Sequence, residues 1–121
     1  MEYTVGIDLE QDERFCRLLK KKSFTERFFT MEERAYLEKY QRMAHQKAAG
    51  IFCCKEAAAK ALKKGLFGLH PQEICVWHDE TGVPQVTLRG SALRQFPKMQ
   101  FSVSVSHSGG MTTAVVLAKE S

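Results

Sequence analysis

The amino-acid sequence predicts an α+β fold in which an antiparallel sheet packs against one long central helix. Three observations predict it: strand-like alternation near the N-terminus, a helical segment over residues 42–64, and several β segments separated by short turns after it. Consecutive strands joined by short turns pair antiparallel, because a parallel pair needs a long crossover. We expect residues 1–121 to form a single domain, since this length supports one compact core.

The first segment has the alternating pattern of a half-buried strand. The apolar residues Tyr3, Val5, Ile7 and Leu9 alternate with Thr4, Gly6, Asp8 and Glu10. We expect the apolar set to face the core. Asp8 and Glu10 then lie side by side on the opposite face, where carboxylates need a reason because acidic residues are poor strand formers.

Two helical segments are predicted directly after this strand. Residues 11–21 place apolar side chains on one side of a helix and basic side chains on the other. A short helical turn through Phe28 follows, with Ser23 or Thr25 as its N-terminal cap.

Two further helices are predicted in the middle of the chain. Thr30 followed by Glu33 has the spacing of a capping box, which indicates a helix that runs to about Tyr40. The long helix then covers residues 42–64. We expect it to stop at Gly65, since glycine readily takes the left-handed conformation that ends helices.

The rest of the chain is predicted to be mainly β-structure. Ile74–His78 and Gln85–Leu88 flank the turn-rich segment DETGVP, which is typical of a hairpin. Residues 90–96 are predicted as a short helix. The segments FSVSVSH and TTAVVLA follow as two strands, with SGG as the turn between them.

The positive charge of the chain is unevenly distributed, although the net charge is a modest +4. Arg14–Lys22 contains five bases and no acid, and Lys39–Lys64 contains seven bases and one acid, Glu56. Such blocks indicate either a solubilising surface or an acidic partner. No apolar run has the length of a membrane span, and the N-terminus does not have the pattern of a signal peptide, so a cytoplasmic protein without membrane contact is expected.

The four cysteines indicate reduced thiols and not a disulfide framework, because they form no CxxC pair. Cys75 and His78 have a ligand-like spacing, but no second pair accompanies them. We therefore expect no zinc site.

Glu56 is the residue of the long helix with the greatest chemical interest. One interpretation is that it forms an ion pair with Lys60, four residues later, on a solvent-facing helix. The other is that Glu56 and Asp8 converge where the helix crosses the first strand. Two carboxylates with waters and phosphate oxygens make a typical Mg²⁺ site, in which Lys60 neutralises the remaining phosphate charge.

His107 ends the strand FSVSVSH beside Ser106 and Ser108. Adjacent residues of an extended chain point apart, so a Ser–His catalytic pair built from these neighbours is geometrically poor. A histidine in a turn rich in serine and glycine is better suited to binding phosphate.

The segments GIDLE, AGIFCCKEAAAKAL and SVSHS, in this order, resemble the 4′-phosphopantetheinyl transferases. The length of the chain and the segment FTERFFTMEE narrow the resemblance to the short holo-[acyl-carrier-protein] synthase branch. The resemblance implies an enzyme of fatty acid biosynthesis that moves the 4′-phosphopantetheine arm of coenzyme A onto a serine of an acyl carrier protein. Adenosine 3′,5′-bisphosphate is the implied second product, and a homotrimer with sites between subunits is the implied assembly.

The resemblance also implies roles for individual residues. Asp8 and Glu56 bind Mg²⁺, Lys60 contacts the pyrophosphate, His107 lies at the coenzyme A phosphates, and Gly65 ends the helix beside the nucleotide. On this basis Glu56 and Lys60 are the expected catalytic residues, with Glu56 as the general base. Arg14, Arg17 and Lys21 are expected to dock the acidic carrier protein.

Two departures from the family pattern keep alternatives open. Ile51 stands where the family often has an arginine, so a phosphate contact is either missing or supplied by another base such as Lys47. Glu10 is a candidate third carboxylate ligand. A family member without activity, and a small basic nucleic-acid-binding module, are the alternatives to a transferase; the second leaves Asp8 and Glu56 unexplained.

Overall fold

The computed structural model describes residues 2–63 and 68–121 and confirms the α+β class. Its strands are β1 (Tyr3–Gln11), β2 (Ile74–His78), β3 (Pro84–Leu88), β4 (Met99–Ser108) and β5 (Met111–Glu120). Its helices are α1 (Arg14–Leu18), α2 (Lys22–Phe28), α3 (Met31–Lys39), α4 (Ala44–Ala61) and α5 (Gly90–Gln95), with 3₁₀ turns at Gln41–Met43 and Pro71–Glu73. None of the helices within the described ranges combines the length and hydrophobicity that a membrane span requires.

The strands form two antiparallel groups around α4. β1, β5 and β4 form a three-stranded sheet in that order, and β2 pairs with β3 as the predicted hairpin. α4 packs across β1 and β5 and supplies ten of the 22 buried apolar residues in the described part of the chain, among them Ala57, Ala58 and Ala59. These small side chains let the helix lie close to the sheet.

The prediction that the apolar face of β1 lies in the core is wrong. Tyr3, Val5, Ile7 and Leu9 are between 58% and 62% exposed, and the face with Thr4, Gly6, Asp8 and Glu10 lies against α4. Gly6 explains the inversion, because a Cβ there would lie 1.8 Å from the carbonyl oxygen of Ala57. Only a residue without a side chain permits this approach, so β1 turns its polar face towards the helix.

The capping box at the start of α3 is confirmed. The Thr30 hydroxyl accepts a hydrogen bond from the backbone N–H of Glu33. The Glu33 carboxylate accepts a hydrogen bond from the backbone N–H of Thr30. The same carboxylate contacts the buried Lys55 ammonium at 2.9 Å and the Val76 N–H at 2.8 Å. Lys55 also donates to two backbone carbonyl oxygens, so this buried ion pair joins α3, α4 and β2 with its hydrogen bonds satisfied.

Two predicted helix boundaries need correction. The helix predicted over residues 11–21 is limited to α1 (Arg14–Leu18), because the β1 strand continues to Gln11. The long helix begins at Ala44, after a 3₁₀ turn, and ends at Ala61 instead of residue 64, since Lys63 takes the left-handed conformation at φ +61°. Gly65, the predicted stop, lies outside the described residues.

The predicted SGG turn joins β4 and β5 as a two-residue connection. Gly109 and Gly110 have φ values of +57° and +78°, which is the conformation of a tight type I′ hairpin turn. Ser108 therefore pairs with Met111, and His107 pairs with Thr112.

Candidate active site

Asp8 and Glu56 are brought to the same side of the molecule by the close contact of β1 and α4. Burial raises the pKa of the Glu56 carboxyl, and the neighbouring charge of Asp8 raises it further, while Lys60 and Arg14 lower it. Asp8 Oδ2 is buried without a hydrogen-bond partner in the described part of the chain. Buried polar atoms are normally paired, so this orphaned oxygen indicates a place for a cation or a donor.

Glu10 is the third carboxylate of this group. Its side chain is largely buried, and burial together with the proximity of the Asp8 carboxylate raises the pKa of Glu10 to about 7. Arg14 acts in the opposite direction and contacts the Glu10 carboxylate directly. Glu10 is thus partly neutralised by the protein itself, unlike the free oxygen of Asp8.

Lys60 lies one turn beyond Glu56 and faces the same carboxylates. Its ammonium donates to the Ile7 carbonyl oxygen at 2.9 Å and lies 3.5 Å from Asp8 Oδ1. The side chain is half exposed, so its remaining donor positions are accessible to an anionic ligand.

This arrangement fits a divalent cation that is also held by its substrate. The described residues contain no cluster of three or more His, Cys, Asp and Glu side chains arranged to hold a metal ion. Mg²⁺ does not require one, because it commonly takes one or two carboxylates and completes its shell with water and phosphate oxygens. Asp8 and Glu56 are oxygen donors of the right kind, and a cation between them would remove the repulsion that raises the Glu56 pKa.

His107 lies away from these carboxylates, on the other edge strand of the sheet. It lines a cavity of about 180 Å³ together with Lys47, His78 and Gly50, and the described lining includes neither Asp8 nor Glu56. Within the described residues, the carboxylates and the cavity with imidazole and ammonium groups are therefore separate features.

Ile51, which stands where the family often has an arginine, lies in the interior of the protein. Ile51 is buried in the core, so it does not face the cavity that His107 lines. Lys47, one turn earlier on α4, does line this cavity and also lies over the Tyr40 ring. Lys47 is therefore a base that lines the same cavity as His107.

The three predicted docking bases have different environments. Arg14 is bound to Glu10 and packs against the rings of Phe15 and Phe52. Arg17, on α1, and Lys21, just before α2, are exposed. The free positive surface is thus centred on Arg17 and Lys21.

Sequence reasoning missed two residues beside His107. Thr112 contacts the imidazole, and Asp12 contacts Thr112. The signal was present: if Gly109 and Gly110 form a two-residue turn, residue 107 must pair with residue 112.

Comparison with known proteins assigns the chain to a family. The family model of the 4′-phosphopantetheinyl transferase superfamily matches residues 4–116. The holo-[acyl-carrier-protein] synthase of Caldanaerobacter subterraneus subsp. tengcongensis is 34% identical over 122 residues, which cover 98% of this chain and 95% of that protein. The synthase of Alkaliphilus metalliredigens is 37% identical over 119 residues, which cover 94% of this chain and 96% of that protein.

Solved structures agree with this result. The Helicobacter pylori holo-[acyl-carrier-protein] synthase in complex with coenzyme A is 30% identical, with a TM-score of 0.82 over 95% of this chain and 99% of that one. The Bacillus anthracis synthase in complex with coenzyme A (3′,5′-ADP) is 27% identical, with a TM-score of 0.83 over 98% of this chain and 96% of that one. The chain belongs to the 4′-phosphopantetheinyl transferase superfamily. Within it, the chain is an enzyme of the holo-[acyl-carrier-protein] synthase branch, as the sequence segments predicted.

Proposed function

We propose that this enzyme transfers the 4′-phosphopantetheine arm of coenzyme A to a serine of an apo-acyl carrier protein and releases adenosine 3′,5′-bisphosphate, with Mg²⁺ as the required metal ion. The observation that carries the proposal is the unpartnered, buried Asp8 oxygen on the strand that packs against the Glu56 helix. The Helicobacter pylori relative binds coenzyme A, and the Bacillus anthracis relative is described with its 3′,5′-ADP portion, which supports coenzyme A as the donor here.

Asp8 and Glu56 would hold the metal ion. When bound, Mg²⁺ supplies positive charge to the pyrophosphate oxygens of the donor. The chain's own residues do the remaining work. The close approach of β1 to α4 at Gly6 brings Asp8 and Glu56 to the same side of the molecule, so charge stabilisation would require little rearrangement during the reaction.

Glu56 is the best-placed general base for the carrier serine. Its carboxylate can accept the serine proton, and it lies on the same face of α4 as Lys60, one turn away. The serine oxygen then attacks the β-phosphate of coenzyme A, and its proton passes to Glu56 directly or through water. Lys60 stabilises the negative charge that develops on the leaving phosphate.

The cavity that His107 lines would bind the nucleotide portion of coenzyme A. His107 and Lys47 line one cavity and provide donors for phosphate oxygens. Gly65, which lies outside the described residues, is the further residue proposed for the nucleotide site. Because this cavity and the carboxylates are separate within the described residues, one complete site would combine the acidic half of one subunit with the His107 half of its neighbour.

This division of the site supports a homotrimer with active sites between subunits. The exposed apolar face of β1 continues onto Val115 and Leu117 of β5, and an exposed apolar sheet face of this kind marks an interaction surface. We expect light scattering coupled to gel filtration to give three times the mass of one chain. A monomer that carries full activity would contradict the shared site.

The carrier protein and the compartment complete the proposal. Exposed Arg17 and Lys21 would dock an acidic carrier, with Arg14 supporting the surface from its contact with Glu10. All four cysteines are free thiols, which supports the reducing environment of the cytoplasm.

The products and the metal requirement can be tested together. Coenzyme A and an apo-carrier protein are incubated with the enzyme, and adenosine 3′,5′-bisphosphate is quantified by chromatography. We expect one bisphosphate for each carrier molecule modified, with no product in EDTA and full recovery on excess Mg²⁺. Undiminished transfer in EDTA would contradict the metal assignment, and a different nucleotide product would contradict the proposed bond cleavage.

A further inference from the structure

His107 is fixed in place by a chain of side-chain contacts that starts from the β4–β5 turn. The two-residue turn pairs His107 directly with Thr112, so both side chains lie on the face that packs towards α4. His107 Nδ1 lies 2.7 Å from Thr112 Oγ1. The Thr112 hydroxyl in turn contacts Asp12 Oδ1 through a short hydrogen bond.

The direction of these hydrogen bonds follows from the number of protons available. A threonine hydroxyl has one proton to donate, and an ionised carboxylate can only accept. Thr112 must therefore donate to Asp12 and accept from His107. The proton of the second bond has to be on His107 Nδ1, which leaves Nε2 as the ring nitrogen that faces away from Thr112.

The burial of Thr112 and Asp12 makes this arrangement persistent. Thr112 is completely buried, and Asp12 is 5% exposed. The Asp12 backbone N–H donates to the Gly110 carbonyl oxygen at 2.9 Å, which ties Asp12 to the same turn. Away from water, a polar group has few alternative partners, so Asp12 and Thr112 are held in one hydrogen-bonding pattern and offer a fixed acceptor to the exposed His107 ring.

We propose that Asp12 and Thr112 are positioning residues that hold His107 with its proton on Nδ1 and present Nε2 to the adjoining cavity, where it binds a phosphate of the substrate. The identification of this ligand as a phosphate of coenzyme A rests on the proposed function. When the ring carries both protons, Nδ1–H remains bound to Thr112 and Nε2–H is free to donate to a phosphate oxygen. A free neutral imidazole side chain favours the tautomer with its proton on Nε2. The effect of Asp12 and Thr112 on the His107 tautomer is therefore measurable.

The tautomer is measured first, by long-range ¹H–¹⁵N correlation spectra of the ¹⁵N-labelled enzyme at a pH where the ring is neutral. We expect the wild-type His107 to show a protonated Nδ1 and an unprotonated Nε2. Thr112→Val removes the acceptor with little change of shape, so the ring should shift towards the Nε2–H tautomer. Thr112→Ser keeps the hydroxyl and should keep the wild-type spectrum.

The second measurement separates the Michaelis constant from turnover. Thr112→Val should raise the KM for coenzyme A roughly fivefold to tenfold, the loss of about one hydrogen bond, with little change in kcat. Thr112→Ser should stay close to wild type. If Thr112→Val is poorly folded because Asp12 is left unpaired, the double variant Asp12→Leu with Thr112→Val removes both buried polar groups and serves in its place.

The outcomes distinguish this inference from the proposed function. An Nε2–H tautomer in the wild type, or an unchanged tautomer in the Val variant, would overturn the positioning role. The expected tautomers with an unchanged KM for coenzyme A would overturn it as well, because Nε2 would then not bind that substrate. If the wild type modifies no carrier protein, the proposed function fails, and the spectra still decide whether Asp12 and Thr112 position His107.

Discussion

The Glu56→Gln variant is expected to lose about 10²- to 10⁴-fold in turnover while it remains folded. Glutamine has nearly the same shape, but it cannot take a proton from the carrier serine and is a weaker ligand for a cation. Stability should not fall, because the pKa of Glu56 is raised in the folded protein. An acid with a raised pKa is destabilised in its charged form at neutral pH, so a neutral side chain at position 56 relieves this cost.

The measurement combines steady-state kinetics with thermal unfolding of the same preparation. Glu38→Gln is the matched control, since Glu38 is exposed on α3 and undergoes the same chemical change. The control should retain wild-type turnover. Wild-type turnover in Glu56→Gln would exclude Glu56 as base and metal ligand, and a strongly lowered melting temperature would show that its role is structural.

Charge reversal of Arg17 and Lys21 has the second-largest expected effect. Both side chains are exposed near α1, and Arg14 beside them is already occupied by Glu10. An acidic carrier is attracted by such a surface, so Arg17→Glu with Lys21→Glu should raise the KM for the carrier roughly 10- to 100-fold, mainly through slower association. The KM for coenzyme A should stay the same, because these bases lie outside the cavity that His107 lines.

Salt dependence and a matched variant make this prediction specific. Added salt should weaken carrier association in the wild type and have a smaller effect in the double variant, since the attraction is screened. Arg94→Glu with Lys98→Glu is the control, because these exposed bases give the same change of net charge elsewhere on the surface. Equal effects of the two double variants, or an equal rise in both KM values for Arg17→Glu with Lys21→Glu, would contradict a local docking surface.

The elements of the fold that depend on local sequence signals were predictable. The Thr30 and Glu33 spacing identified the start of α3, and the paired glycines identified the β4–β5 turn. The orientation of β1 was not predictable from its alternation alone. The polar face lies against α4, and the apolar face is exposed, so polarity does not identify the face that packs in the core. Gly6 determines which face of β1 packs against α4. Its effect depends on the backbone carbonyl oxygen of Ala57, which is distant in the sequence.

The candidate site was predictable only for the residues that stand in local sequence motifs. Asp8, Glu56 and Lys60 stand in recognisable sequence segments, and the structure places Asp8 and Lys60 in contact. The buried role of Lys55 was not visible, because its partner Glu33 is distant in sequence and an adjacent lysine in a basic helix resembles a surface residue. The Asp12–Thr112–His107 contacts likewise depend on the register of two strands and on the end of a third.

The mass of the carrier protein is the most direct test of the central claim that this chain transfers the phosphopantetheine arm. An apo-carrier protein is incubated with the enzyme, coenzyme A and Mg²⁺, and a carrier with its acceptor serine replaced by alanine is treated in parallel. We expect the first carrier alone to gain about 340 Da, the mass of the arm that the cofactor carries. An unchanged carrier mass with the folded wild-type enzyme, or an equal gain in the serine-free carrier, would contradict the account.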